Sequence, residues 1–106
     1  MYRYNTTPMQ INLESLPDNA TDALKDVVRQ KVERLGKFYS RIVEADVYLK
    51  DTGDDDNPCA AEIRLNVPND RLFCEERGGS FEEAIDSASR AMERQVKRFK
   101  DKVATH

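Results

Sequence analysis

The chain has no tryptophan, a single histidine, two cysteines, four glycines and four prolines in 106 residues. That histidine is His106 at the last position, so no Cys-His or Ser-His pair stands where a fold would hold it firmly for nucleophilic chemistry. Cys59 and Cys74 are too few for a secreted disulfide framework. Glycine gathers only at Gly78-Gly79, without the fuller spacing or the Lys-Ser/Thr neighbour of a phosphate cradle. No apolar run approaches the roughly 18 residues of a membrane span, and the first residues lack the basic-then-apolar layout of a secretion signal. The chain therefore reads as cytoplasmic, with no membrane partner. Carboxylates are plentiful, but abundance does not create the unlike environments that acid/base catalysis needs. One domain of this size has a real core and no room for a deep reaction chamber. The expectation is a protein that is not an enzyme and carries no cofactor and no metal.

What is present is patterned charge. Phe81, Ala84, Ile85, Ala88, Met92, Val96, Phe99 and Val103 recur at three- and four-residue spacing, which predicts an amphipathic helix over 81–103. Ser80 with Glu83 supplies a reciprocal N-cap, and Gly78-Gly79 lets the chain turn into it. Away from the apolar stripe lie Arg90, Arg94, Lys97, Arg98, Lys100 and Lys102; residues 88–106 hold these six cations against two acids, in a chain of net charge −3. An anionic partner is one reading, and the favourable placing of cations at a helix C-terminus is another.

Before that helix the chain alternates. Met9, Ile11 and Leu13 predict a short strand after an irregular leader over 1–8, whose Tyr2 and Tyr4 suit surface attachment or base contact. Residues 16–19 break the strand and lead into a first helix, capped by Asp18 or Thr21. Its apolar face runs through Ala20, Leu24, Val27, Val28, Val32, Leu35 and Phe38. Lys25, Arg29, Lys31, Arg34 and Lys37 border that face, Arg41 follows at the exit, and Lys31 can snorkel its stem over the core. Val43, Ala45, Val47 and Leu49 form a second strand, joined to the first through the helix by a right-handed crossover and so parallel to it. Ala61, Ile63, Leu65 and Val67 form a third, and Leu72 and Cys74 begin a fourth that runs to about residue 76. With Val67 and Arg71 flanking the turn, Cys74 lies opposite about Arg64 rather than Cys59, and both cysteines are expected as core thiols. Phe73 then faces the outer side of the sheet, where it packs locally or stacks on a base. The fold class is α+β: a single β-α-β-β-β-α domain over 9–106, a four-stranded mixed sheet with two helices on one face.

The loop over 51–58 carries Asp51, Asp54, Asp55 and Asp56. Counting from Asp51, Glu62 falls twelfth, as in a helix-flanked calcium loop. Gly53 stands where that loop has an acid, however, Asp56 stands where it has glycine, and no helix flanks it. A solvated or steering loop is expected.

Several linked features resemble the ribosome-associated translation inhibitor and hibernation-promoting factor family. Thr21-Asp22-Ala23-Leu24 looks like the opening of that family's first helix, and Lys31, Arg34, Leu35, Phe38-Tyr39 and Arg41-Ile42 like its basic end and exit. Phe81, Ala84-Ile85-Asp86 and the run over 97–102 look like its second helix. The resemblance implies binding to the small ribosomal subunit in the groove used by messenger and transfer RNA, and a block of translation during stress or stationary phase. By carry-over, Lys31, Arg34, Lys37 and Arg41, with Arg90, Arg94, Lys97, Arg98, Lys100 and Lys102, are the candidate ribosomal RNA contacts. It also implies a short form, a monomer off the ribosome, acting alone or beside a separate ribosome-dimerising factor. The leader and the acidic loop depart from the family's simplest pattern. Those acids would point away from RNA, approach a basic ribosomal protein or weaken binding. The loop and the negative total keep a second reading in play, a regulatory protein–protein interaction module without RNA contact.

Overall fold

In a computed structural model, which describes residues 9–104, the core forms between one face of a sheet and two helices. The leader over 1–8 and His106 lie outside the described residues. The strands are β1 (Gln10–Ser15), β2 (Glu44–Asp51), β3 (Cys59–Val67) and β4 (Asp70–Gly78), and the helices are α1 (Asp22–Glu33) and α2 (Phe81–Ala104). Strand order is β1-β2-β3-β4, with β1 parallel to β2 and the other pairs antiparallel. The mixed sheet follows from the connections: a helix links the parallel pair, and short loops link the rest.

Period-2 alternation sends Ala45, Val47 and Leu49 of β2 and Ala61, Ile63 and Leu65 of β3 into the core, where they meet Ile85, Ala88, Met92 and Val96 of α2. Val28 and Val32 bring α1 onto the same core. Both thiols are buried and free, and burial pushes Cys74 up to about 11 while its Sγ donates to the Ala88 carbonyl at 3.2 Å.

Four local details differ from the sequence expectation. The first helix does not run unchanged to Phe38: after Glu33 it tightens into a 3-10 turn, Arg34–Lys37. Gly36 is a poor α-helix former, and the shorter-range bonds of a tightened turn still satisfy the last carbonyls. Leu35 stays buried there and its carbonyl accepts from Phe38 N–H at 3.1 Å. Second, the β3–β4 turn is one residue shorter than expected, because Val67 pairs with Asp70. Asn69 takes a left-handed φ of 67° behind Pro68, which suits a two-residue turn and puts Cys74 opposite Ile63 rather than Arg64.

Third, Ser80 caps α2 by accepting from Glu83 N–H at 3.1 Å, but Glu83 reaches back to Gly79 N–H at 2.8 Å, one residue before the expected partner. Gly78 is needed for closeness rather than for a left-handed turn: a Cβ there would lie 2.9 Å from Glu83 Cβ and 3.0 Å from the Ala84 nitrogen. Fourth, alternation puts Glu62 on the side of β3 away from the core, yet it is buried, only 4% exposed. Lys50 Nζ donates to it at 2.9 Å and Arg64 Nε donates to its other oxygen. Arg64 also lies 4.8 Å from the Tyr48 ring and 6.0 Å from that of Phe73, which faces outward as expected and is 51% exposed.

Candidate nucleic-acid interface

Where α1 and its 3-10 turn lie along α2, the basic residues meet. Lys31, Arg34 and Arg90 line a groove of about 80 Å³ with Leu35, Asp86, Ser89 and Glu93. Asp86 is central to it. Its Oδ1 accepts from Lys31 Nζ at 2.9 Å across the helix pair, and its Oδ2 lies 2.9 Å from Arg90 Nη2 one turn along α2. The hydrogen bond from Lys31, with the nearby charges of Lys31, Arg90 and Arg34, holds the Asp86 carboxyl below its ordinary value against the smaller opposing effect of burial. Toward the start of α2 the groove widens and turns acidic, lined by Val27, Gln30, Lys31, Glu82, Glu83 and Asp86.

Further along, Lys97 Nζ pairs with Glu93 at 3.0 Å and sits 4.8 Å over the Phe38 ring. Tyr39 meets Phe99 edge-on, with ring centroids 5.6 Å apart. The exit of the first helix is thereby fixed to the second half of α2. Among the described residues no ion pair holds Arg34, Lys37, Arg41, Arg94, Arg98 or Lys100, and all six are exposed.

The ten candidates do not form one ridge. Arg98 and Lys102 line a different shallow groove, with Asp70, Leu72, Gln95 and Phe99, on the β4 side of α2. Helix geometry accounts for the division: at about 100° per residue each step of four drifts by about 40°, so Arg98 lies about 80° round from Arg90 and Lys102 about 120°, toward the β4 side. Counting cations along the sequence missed this, and it also missed the carboxylate that joins Lys31 to Arg90. The Asp86–Arg90 link was legible as an i,i+4 pair, whereas Lys31 is 55 residues from Asp86 and carries no local signal. Among the described residues, no group of three or more His, Cys, Asp or Glu side chains could hold a metal ion, and no helix is long and apolar enough to cross a membrane.

The family model described as Sigma 54 modulation protein / S30EA ribosomal protein matches residues 12–104. The chain belongs to this family. The S30EA-type domain is 33% identical over 82 residues to the ribosome hibernation promotion factor of Deinococcus radiodurans, covering 76% of this chain and 43% of that protein. It is 30% identical over 95 residues to the factor of the same name from Bacillus subtilis, covering 90% of this chain and 50% of the relative. The chain thus spans about half the length of these curated relatives. Among solved structures, the N-terminal domain of Thermus thermophilus Protein Y superposes with a TM-score of 0.72 at 30% identity, covering 88% of this chain and 99% of that one. A ribosomal subunit interface protein from Coxiella burnetii shares the fold, with a TM-score of 0.75 over 88% of this chain and 99% of that one, at 13% identity.

Proposed function

We propose that this S30EA-type domain binds the small ribosomal subunit, lays its paired helices against ribosomal RNA in the messenger and transfer RNA channel, and so holds translation in a hibernating state. The observation that carries the reading is the interhelical groove where Lys31 and Arg34 meet Arg90, in a surface whose Lys37, Arg41 and Arg94 are exposed and held by no ion pair among the described residues. Such cations neutralise phosphates without reading bases, which suits a structured RNA surface. Arginine forks across two phosphate oxygens and lysine acts as a flexible point charge. Lys97, over the Phe38 ring, and Lys100 are further candidates along α2, while Arg98 and Lys102 serve a second contact on the β4 side. Occupancy is the whole mechanism, with no bond made or broken. In this reading the domain works in the cytoplasm and is a monomer off the ribosome. The hibernation factors it resembles support the role, and the interhelical geometry supports the surface.

Co-sedimentation with purified small subunits across a salt series tests it. Saturable binding is expected, with log affinity falling by about 0.7 to 0.9 per phosphate contact for each tenfold rise in salt. Arg34→Gln with Arg94→Gln should make that slope shallower by about two contacts' worth and leave the fold intact, because neither side chain is in an ion pair. Lys97 is a poorer choice for this purpose, since a glutamine there would also leave Glu93 without its partner one turn away. No saturable binding at low salt would overturn the proposal.

A further inference from the structure

The cations of the interhelical groove are arranged by an acid. Asp86 gives one oxygen to Lys31 of α1 and the other to Arg90 of α2, both at 2.9 Å, and it is only 33% exposed. An ammonium has three donors and a guanidinium five, so each cation keeps N–H groups free after serving Asp86. Arg34 stands in the same groove with no ion pair of its own, and Glu93, the other acid lining it, is engaged by Lys97. Three cations and two carboxylates thus line the groove, and with Glu93 paired to Lys97 the other three cations share Asp86.

We propose that Asp86 is a positioning residue for RNA: it fixes Lys31 and Arg90 so that, with Arg34, they present their remaining donors to the same stretch of phosphodiester backbone. This rests on the reading of the helix pair as an RNA surface and adds to it a residue of the wrong charge. A long side chain that must be immobilised on binding costs about two- to tenfold in affinity. Asp86 immobilises two of them beforehand. It also decides which way they point, because a Lys31 left to itself would swing its ammonium out to water from a stem that is 32% exposed.

The test opposes two effects of one substitution. Asp86→Asn removes a negative charge from the surface, so if charge alone governed binding, the variant would bind small subunits more tightly and with a steeper salt dependence. Positioning requires the reverse: about fivefold weaker binding at low salt and a salt slope shallower by one to two phosphate contacts. In a Lys31→Gln/Arg90→Gln background, Asp86→Asn should then change binding by less than about twofold, since the groups it positions are gone. Asp86→Glu, which keeps the charge and the reach, should restore the slope. Thermal unfolding of each variant guards against lost folding, which would lower affinity equally at all salt concentrations rather than alter the slope. Unchanged or tighter binding by Asp86→Asn, the same loss in the double-variant background, or a Glu variant as shallow as the Asn variant would each overturn the inference. Failure of the unsubstituted protein to bind small subunits at all would defeat the broader reading instead.

Discussion

Glu62 shows how much one side chain can organise on the open face of the sheet. Burial by itself would raise its pKa, but hydrogen bonds from Lys50 and Arg64 outweigh that and the net direction is down from 4.5. A carboxyl lowered by folding adds stability above its unfolded pKa, and that stability is lost as pH falls through the lowered folded value. Glu62→Gln keeps the shape and removes the charge. It should cost about 1 to 3 kcal/mol near neutral pH, the lower end if water takes over Lys50 and Arg64, whose side chains are 44% and 41% exposed. Urea unfolding at about pH 7 and about pH 3 checks the sign: the gap between variant and unsubstituted protein should narrow as the pH drops below 4.5. A gap unchanged down to about pH 3 would mean that the charge is not what holds the network. The sequence marked Glu62 as the twelfth position of an incomplete calcium loop and, between the inward Ala61 and Ile63, as an outward residue of a strand. Its partners are Lys50 from β2 and Arg64, whose guanidinium lies by the Tyr48 and Phe73 rings, contacts that appear only once the register is set.

At the scale of elements, legibility follows the range of the cause. The apolar stripe of α2 was readable because a 3.6-residue period is local, and Met92, Val96 and Phe99 are buried as that period requires. The junction between β4 and α2 was read correctly as a glycine site but for the wrong reason, since closeness to the first turn of α2 cannot be seen in a dipeptide. The two glycines should therefore respond differently. An alanine at Gly78 meets the Glu83 Cβ and the backbone nitrogen of Ala84, neither of which can yield without moving the start of the helix. An alanine at Gly79 meets first the Glu83 carboxylate oxygen at 3.1 Å, the far end of a flexible side chain. Gly78→Ala is expected to lower stability by about 1 to 3 kcal/mol and Gly79→Ala by less than about 1 kcal/mol in denaturant unfolding. Equal losses would show that the junction is limited by backbone conformation and not by contact. The exit of α1 was less legible for a related reason: Phe38 kept the helical spacing although Gly36 had already tightened the turn, so periodicity alone ran the helix past its end.

Across the whole molecule, acid and base are separated along α2. The loop over 52–58 joins β2 to β3 where Cys59 pairs with both Asp51 and Gly78, which is the end of the sheet from which α2 departs. Arg94 lies thirteen residues beyond Phe81, a rise of about 20 Å, and Arg98 and Lys102 lie further still, beside Asp70 at the opposite end of β4. At physiological ionic strength the Debye length is about 8 Å, so the field of the acidic loop has largely decayed before it reaches the basic end of the helix. Of the three roles open to those acids, pointing away from RNA is the one this placement favours. Asp54→Asn with Asp55→Asn and Asp56→Asn is a mild way to ask, because an asparagine side chain in place of Asp54 retains the oxygen that accepts from the residue 56 N–H in the folded loop. Small-subunit affinity should shift by less than about twofold at about 0.15 M salt. It should tighten severalfold at about 0.01 M, where the Debye length grows to about 30 Å and spans the helix. Marked weakening at the higher salt would mean instead that the loop itself touches the ribosomal particle, on a basic protein surface. Marked tightening there would place the loop within a few ångströms of RNA and reverse the orientation argued from α2.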